Sequence, residues 1–472
     1  MSAYKRKPSA LIQARFPFEL TQGQEAALAA FDDFITDRGI ENRTILLKGY
    51  AGTGKTTFLG AVINSLPMLG YRVQLLAPTG RASKVMAQYS GKTALTIHKR
   101  IYSAEYDSTG NVHYRLQKNS FKNTVFVVDE ASMIGNHADY GSRGLLADLV
   151  RYVFEDQSNK LVFAGDTAQL PPVGSDLSPA LDAETLANQF GLSVTLCELT
   201  EVVRQLDDSG ILSNATHIRA LQMGNNKTLV PTITTKGFPD VFKMQASKIQ
   251  DGLNYAYEKF GTSETVVITH TNRMANKINQ LIRTNIFWRE DEIESDDRVV
   301  IVKNNYVVST GEDNGNFLAN GDLAVIKKVY KIEEAYGYRF ADIDLKLSDN
   351  ADEETIRAKA ILQVLMADAP ALTLEQTDQL RKSIIEDFYE DDLSLEEALK
   401  NNEYIHALQI KFGYALTCHK AQGGQWDVVF VEAGMLSHPK IPQEEKLRWL
   451  YTAITRARKE LYFINLPEAW VG

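Results

Sequence analysis

Gly49-Tyr50-Ala51-Gly52-Thr53-Gly54-Lys55-Thr56 is a glycine-rich run that ends in Gly-Lys-Thr and follows the apolar run Thr44-Ile45-Leu46-Leu47. Glycines let successive backbone N–H groups curl round an anion, the lysine reaches the β and γ phosphates of a nucleotide, and the next hydroxyl ligates Mg²⁺. A helix starting near Lys55 would turn its N-terminal dipole to the same charge. An ordinary strand-to-helix turn does not need this ending, so Gly52, Thr53, Gly54, Lys55, Thr56 and Thr57 are expected to hold ATP. Val125-Phe126-Val127-Val128 runs into Asp129-Glu130. Adjacent carboxylates usually mark a solvated turn. Here they end an apolar strand downstream of a phosphate loop, which suits Asp129 for Mg²⁺ and Glu130 for orienting or deprotonating the attacking water. Gly165-Asp166-Thr167-Ala168-Gln169 closes the next apolar run, and strand ends in such sheets converge on the ligand crevice. Gln169 is thereby placed to report the γ-phosphate.

These residues need a sheet to bring them together. From Leu20 to about Leu196, β-rich runs at 44–47, 72–77, 124–128 and 160–164 alternate with helical stretches at 24–38 and 56–66. That alternation predicts parallel strands with crossover helices, an α/β fold. Between Lys99 and Phe121 two β-like pieces flank Asp107-Ser108-Thr109-Gly110, a good hairpin turn. A second α/β region starts near Cys197, with a strand at 265–269 and a helix at 274–283. It is interrupted from about Arg298 by β-like runs at 299–302, 323–332 and 338–347, then by a charged helical stretch at 374–401. The α/β pattern resumes at Ile405. Two α/β domains are expected, 1–196 with a hairpin insertion at about 99–121, and 197–472 with a barrel-like and helical insertion at about 298–404.

The chain's 472 residues, 44% of them hydrophobic and 24% charged, suffice for buried cores without disulfides or metals. Cys197 and Cys418 stand far apart in no metal-ligand cluster, which fits reduced thiols inside a cell. No run of about 18 apolar residues predicts a membrane span. Lys5, Arg6, Lys7 and Arg15 precede no apolar signal core, so the N-terminus reads as a frayed tail and the expected location is cytoplasmic. The net charge of −9 is concentrated in acidic runs at 290–297 and 386–397. It neither supports nor excludes a nucleic-acid partner, because a channel elsewhere can be locally positive.

Further motifs stand in a recognisable order. They are Leu20-Thr21-Gln22-Gly23-Gln24, Ala77-Pro78-Thr79-Gly80-Arg81-Ala82-Ser83, Thr96-Ile97-His98, Asp129-Glu130-Ala131-Ser132-Met133 and Gly165-Asp166-Thr167-Ala168-Gln169-Leu170-Pro171-Pro172-Val173-Gly174. After them come Leu199-Thr200-Glu201-Val202-Val203-Arg204-Gln205, Thr417-Cys418-His419-Lys420-Ala421-Gln422-Gly423 and Tyr451-Thr452-Ala453-Ile454-Thr455-Arg456-Ala457-Arg458. From Leu20 to Leu461 the chain resembles superfamily 1 helicases, and within them the RecD-like, Dda-like 5′→3′ branch. The 3′→5′ branch usually reads His-Lys-Ser-Lys-Gly where this chain has His419-Lys420-Ala421-Gln422-Gly423, and it carries another motif in place of Gln169-Leu170-Pro171-Pro172. Asn320-Gly321-Asp322 also looks like the RecD type. Direction rests on this resemblance alone.

The resemblance implies two RecA-like P-loop motor domains, each interrupted by a small β-rich insertion, with ATP and Mg²⁺ as cofactors. It implies that Gln24 reads the adenine edge, that Arg204 reaches the γ-phosphate, that Arg456 is an arginine finger, and that Gly423 joins the nucleotide set. Lys55, Glu130, Gln169, Arg204 and Arg456 then form the catalytic group. Pro78, Thr79, Thr96 and His98 would contact the nucleic-acid strand from the first domain; Asn272, Thr417, His419 and Lys420 would do so from the second. Hydroxyls, amides and backbone N–H groups aimed at phosphate fix register without reading sequence. ATP gripped between domains becomes a removable bridge, and hydrolysis relaxes the cleft.

The bland readings differ by residue. A lone histidine is usually a satisfied polar residue; position within these motifs makes His98 and His419 strand contacts by stacking or phosphate bonding. Trp426 and Trp449 are expected as core anchors. The hairpin, with Tyr102, Tyr106, His113 and Tyr114, is expected to separate strands, against the alternative of a surface hairpin. The barrel-like insertion resembles the one that relatives place over the exiting strand, and the acidic run at 386–397 reads as a solvated face. Gln425 departs from the family's glutamate at the ribose, and Val203 from the aromatic that often precedes Arg204.

The expected partners are single-stranded DNA and duplex junctions, with no membrane, for a chain acting as a monomer and open to replication or repair proteins. An RNA or RNA–DNA hybrid helicase is the alternative enzyme. A nucleotide-gated binding switch is the alternative from another class, although a switch does not need Glu130, Gln169, Arg204 and Arg456 together.

Overall fold

The apolar runs assemble side by side because each is buried on both faces, the condition under which parallel sheets form. A computed structural model describes residues 7–37, 39–106, 112–136, 143–203, 209–224, 230–305, 318–348, 355–388, 399 and 402–472, without the side chains of 104–106, 112, 113 and 388. The helices α1 (Pro8–Gln13) and α2 (Gln22–Thr36) precede β1 (Arg43–Gly49), and α3 (Lys55–Ser65) follows it. Then come β2 (Arg72–Ala77), α4 (Gly80–Ser90), β3 (Ala94–Thr96) and an antiparallel hairpin of β4 (Tyr102–Tyr106) with β5 (Val112–Leu116). Next in the chain are β6 (Thr124–Val128), β7 (Lys160–Gly165) and β8 (Ser193–Leu199). Six of these strands form a parallel sheet in the order β3-β2-β6-β7-β1-β8.

The second half starts a new parallel sheet with β9 (Val241–Met244) and β10 (Thr265–Thr269). The chain leaves it for a closed barrel of β11 (Arg298–Ile301), β12 (Leu323–Ala335), β13 (Tyr338–Leu347), β14 (Ile356–Ile361) and β15 (Leu408–Phe412). It returns as β16 (Ala415–Thr417), β17 (Trp426–Glu432) and β18 (Ala457–Ile464), giving the order β16-β10-β17-β18-β9. The expected α/β class, with two parallel sheets and a β-rich insertion in each half, is the observed one. Trp426 and Trp449 are buried core residues.

Two expected boundaries shift. A division at 196/197 falls inside β8, which pairs with β1 along its whole length to Leu199. As the outer strand of its sheet, β8 is only intermittently buried, so its sequence lacks the apolar signal of β1, β6 and β7. The insertion does not end at 404 either. β15 closes the barrel, and the buried polar residues Gln409 and Lys411 interrupt what would otherwise read as its apolar run. The hairpin turn 107–111, and the side chains of Tyr106 and His113, lie outside the described residues, as does most of the acidic run 386–397. Cys197 and Cys418 are buried free thiols, and no helix among the described residues is long and apolar enough to cross a membrane.

Parallel order has one consequence for chemistry. The C-terminal ends of β6, β7 and β1, neighbours in the sheet, put Asp129, Asp166 and the phosphate loop at one edge. β2 and β3 deliver Thr79 and Thr96 to the same edge, and adjacent β10 and β16 deliver Asn272 and Thr417 in the other half.

Candidate nucleotide site and nucleic-acid channel

The loop after β1 turns through two left-handed residues, Gly52 (φ 80°) and Gly54 (φ 73°). A Cβ at Gly52 would lie 2.6 Å from Leu212 Cδ1, and one at Gly54 2.8 Å from Gln24 Nε2, so both conformation and space demand glycine. Lys55 opens α3 and pairs with Asp129, Nζ to Oδ1 at 3.0 Å. Asp129 also accepts the Glu130 N–H on Oδ1 at 2.8 Å and the Tyr89 hydroxyl on Oδ2 at 2.9 Å. Burial alone would push the Lys55 ammonium down; Asp129, Glu130 and Asp166 together hold it above the ordinary lysine value. The cation thus rests on the carboxylate next to the loop.

Glu130 sits in the left-handed region at φ 52°, a strained conformation of the kind that clusters at functional sites. Its Oε2 is buried with no hydrogen-bond partner, as are Gln169 Oε1 and Ser132 Oγ. Unpaired buried acceptors call for a donor, and a water molecule fits that need. Mg²⁺ at phosphate sites takes one or two protein oxygens and fills its shell with phosphate and water. Asp129 and the exposed Thr56 hydroxyl in the first turn of α3 are such a set, with Thr57 exposed beside them. No group of three His, Cys, Asp or Glu residues among the described ones forms a separate metal cage.

Gln24 departs from its expected role. It is fully buried, accepts from Thr21 N at 3.1 Å and donates to Thr53 O at 3.0 Å. Its amide closes the capping box of α2 and braces the phosphate loop, so the side chain faces the loop backbone. Gly423 differs as well. Its nearest neighbours are Ala82 and Thr79 of the α4 turn, which places it against the nucleic-acid motif of the first half. Arg204 lies outside the described residues.

Arg456 is 3% exposed and donates to Thr452 O at 3.0 Å, to Gly424 O at 3.2 Å and to Thr455 Oγ1 at 3.0 Å. All three partners belong to its own half. In this arrangement Arg456 braces the end of the helix Gln443–Ile454 with three of its five N–H donors.

Val203 N donates to Gly52 O at 3.0 Å and Leu212 abuts Gly52, and Tyr451 adds a further tie between the halves at the phosphate loop. Its hydroxyl accepts from Ala51 N at 2.9 Å and donates to Asp166 Oδ2 at 2.7 Å. Beside it Thr452 Oγ1 accepts from Leu170 N at 2.8 Å, and Gln422 Nε2 donates to Leu170 O at 2.8 Å. Burial pushes the Asp166 carboxyl up to about 6, against the lowering bonds from Tyr451 and Ala168. Burial and the Asp166 charge hold the Tyr451 phenol well above its ordinary value, so it stays a donor. Neither contact is visible in local pattern. The only available signal was helical spacing, which puts Arg448, Tyr451 and Thr452 on one face of the helix that precedes Arg456.

Between the halves runs a cleft of about 560 Å³. Thr79, Asn272, Thr417, His419 and Lys420 all line it, with Arg81, His270, Arg273, Gly321 and Gln422. Five of the expected strand contacts, drawn from both halves, therefore share one channel. Pro78, Thr96 and His98 are not among its lining residues. The Thr96 hydroxyl instead caps the helix Ile97–Ile101 by accepting from Lys99 N at 3.2 Å, and His98 packs near the Tyr102 ring. Lys420 Nζ is buried with no hydrogen-bond partner, and burial, then Lys411, pushes its ammonium down to about 7. His270 and His419 are both held below the ordinary histidine value by desolvation in the cleft. Tyr102, expected on the strand-separating hairpin, is buried with its hydroxyl on Asp148 at 2.8 Å, so it roots the hairpin in the body.

Residues 19–237 match the AAA domain family model, and residues 412–464 match the UvrD-like helicase C-terminal domain. The chain is similar to the ATP-dependent RecD2 DNA helicase of Deinococcus radiodurans, 25% identical over 92% of this chain and 49% of that one. It is also similar to the ATP-dependent DNA helicase dda of Enterobacteria phage T4, 24% identical over 94% of this chain and 99% of that one. The chain thus spans about half the length of the first relative and nearly all of the second. A solved Pif1 helicase from Bacteroides aligns over 96% of this chain and 95% of its own, with 18% identity and a TM-score of 0.49. Both family models match in order, and the likeness to the RecD2 and Dda helicases, members of superfamily 1, runs along more than nine-tenths of this chain.

Proposed function

We propose that this chain is an ATP-dependent DNA helicase that translocates 5′→3′ on single-stranded DNA and opens duplex junctions. The observation that carries this reading is the shared channel: Thr79 from one half, with Asn272, Thr417, His419 and Lys420 from the other, lines one cleft. The residues proposed to hold ATP stand at neighbouring strand ends of the first sheet. A strand held by both halves moves relative to one of them whenever the cleft between them opens or closes. Thr79 is the first half's grip, and Asn272, Thr417, His419 and Lys420 are the second's.

Lys55, now resting on Asp129, turns to the β and γ phosphates when they arrive, and the loop N–H groups close round them. Thr56 and Asp129 would hold Mg²⁺, which would supply positive charge to the phosphates. Glu130 holds the attacking water on its unpaired oxygen, and Gln169 orients it from the adjoining strand end. Gly52, Thr53, Gly54 and Thr57 complete the loop's hold on the nucleotide. Arg204 and Arg456 supply positive charge from the second domain, a contribution of roughly 10³–10⁵ in rate at comparable sites. The first motor domain runs through β8 and the second begins after it.

Strand separation on duplexes carrying a 5′ or a 3′ single-stranded tail tests the reading. Unwinding of the 5′-tailed duplex, with ATP and Mg²⁺ required, is the expected outcome. Preference for the 3′ tail overturns the direction, and unwinding of neither duplex overturns the motor.

A further inference from the structure

α4 touches both functional sites. Its first turn lies in the channel, where Thr79 caps the helix by accepting from Ala82 N at 3.2 Å and both Thr79 and Arg81 line the cleft. That turn is also held by the second half. Arg81 donates to Gln425 O at 3.0 Å and lies over the Trp426 ring at 3.9 Å. Gly423 meets the same turn so closely that a Cβ there would lie 2.9 Å from Ala82 Cβ. The helix has 11 residues, a rod of roughly 16 Å at 1.5 Å per residue.

At its other end Tyr89 leans back toward the helix N-terminus, as helical side chains do, and donates its hydroxyl to Asp129 Oδ2 at 2.9 Å. Its ring lies against α3 where the helix carries Gly60; a Cβ at that position would already stand 3.6 Å from the ring. Burial, and after it the Asp129 charge, raise the Tyr89 phenol well above its ordinary value, so the group stays protonated. It can therefore donate a bond but cannot serve as a base.

We propose that Tyr89 is a positioning residue that couples the metal-holding carboxylate Asp129 to the DNA channel through α4. This rests on the motor reading of the two sites. A carboxylate oxygen that takes a metal ion has less to offer a hydroxyl donor, so Mg²⁺-nucleotide loosens or redirects the Tyr89 bond. The displacement passes along one rigid helix to Thr79 and Arg81, and from Arg81 to Gln425 and Trp426. Coupling of this kind is reciprocal, so DNA in the channel must change nucleotide affinity by the same factor.

The test is Tyr89→Phe, which keeps the ring and removes one oxygen. Binding of fluorescein-labelled oligo-dT is followed by anisotropy without nucleotide, with a non-hydrolysable ATP analogue and Mg²⁺, and with the analogue and no metal. In the parent chain the analogue with Mg²⁺ should change DNA affinity by about 5- to 150-fold, the usual range for coupled sites. In the variant the ratio should fall to within about twofold of unity while both separate affinities persist, because a merely loosened fold weakens both without erasing their ratio. Coupling that survives in Tyr89→Phe overturns the inference and leaves the motor reading intact. A parent chain whose DNA affinity ignores the nucleotide overturns both. Amide exchange across Gly80–Ser90 of the parent chain gives a second check, independent of the variant's folding. It should change when the analogue and Mg²⁺ are added, and unchanged exchange also overturns the proposal.

Discussion

Tyr451→Phe removes an oxygen that ties both the phosphate loop and the neighbouring strand end to the second half. That hydroxyl donates to Asp166 Oδ2 at 2.7 Å and accepts from Ala51 N at 2.9 Å. A hydrogen bond to a charged group contributes roughly 1.5–3 kcal/mol, and each pKa unit corresponds to about 1.36 kcal/mol. Asp166 already stands at about 6, so losing this bond should raise it by roughly one to two further units. The ionised carboxylate is the form that clasps Tyr451 and the Ala168 N–H, so turnover should rise with pH through this value. DNA-stimulated ATP hydrolysis, measured as kcat from about pH 5.5 to 9, should show an acid limb near 6 in the parent chain and one displaced upward in the variant.

Stability gives an independent sign. Asp166 is raised above its ordinary 3.8, so its contribution is fully present below that value and is lost as pH rises through about 6. The variant removes a bond that matters most to the charged form. Its penalty should be roughly 1.5–3 kcal/mol above the limb and nearer 0.5–1.5 kcal/mol below it. An acid limb that does not move, together with a thermal unfolding penalty equal at both pH extremes, would show that Tyr451 is only a packing group.

Lys420→Gln should weaken single-stranded DNA binding uniformly across sequences and lower the salt slope of log affinity by about 0.7. Because burial and Lys411 set the Lys420 ammonium at about 7, DNA affinity of the parent chain should fall as pH rises through that value. The variant should lose that dependence, and an unchanged slope and pH profile would remove Lys420 from the channel's grip. Arg456→Ala leaves buried carbonyls at Thr452 and Gly424 without their donor, so chemical denaturation should report a loss of roughly 2–4 kcal/mol. Hydrolysis lost at unchanged stability would instead support the finger and refute the brace.

The motifs that stand at one sheet edge share a local cause. A phosphate loop is set by glycines and a lysine within a few positions of one turn, and Asp129 and Asp166 by apolar runs that stop at an acid. Parallel order then carries all three to one sheet edge without any side chain having to choose a partner. The strand contacts divided. Thr79, Asn272 and Thr417 stand at or just after strand ends and line the cleft; Thr96 ends β3 and does not line it, although its hydroxyl caps a helix just as that of Thr79 does.

What sequence alone carried was therefore motif order and backbone course: a glycine-rich loop ending in Gly-Lys-Thr, apolar runs that stop at acids, two parallel sheets with insertions, and a likeness to helicases. The pairings of side chains were decided only in three dimensions. Tyr451 meets Ala51 across 400 positions and Asp166 across 285, and Tyr89 meets Asp129 across 40. Gln24 had donors and acceptors suited to a purine, yet the nearest carbonyl on its buried side is that of Thr53. Arg456 had the reach of a finger, yet backbone carbonyls of its own half surround it. A polar side chain satisfies itself with whatever the packing brings within about 3 Å. Packing between distant segments is set by the docking of whole sheets and helices, and no local pattern carries that information.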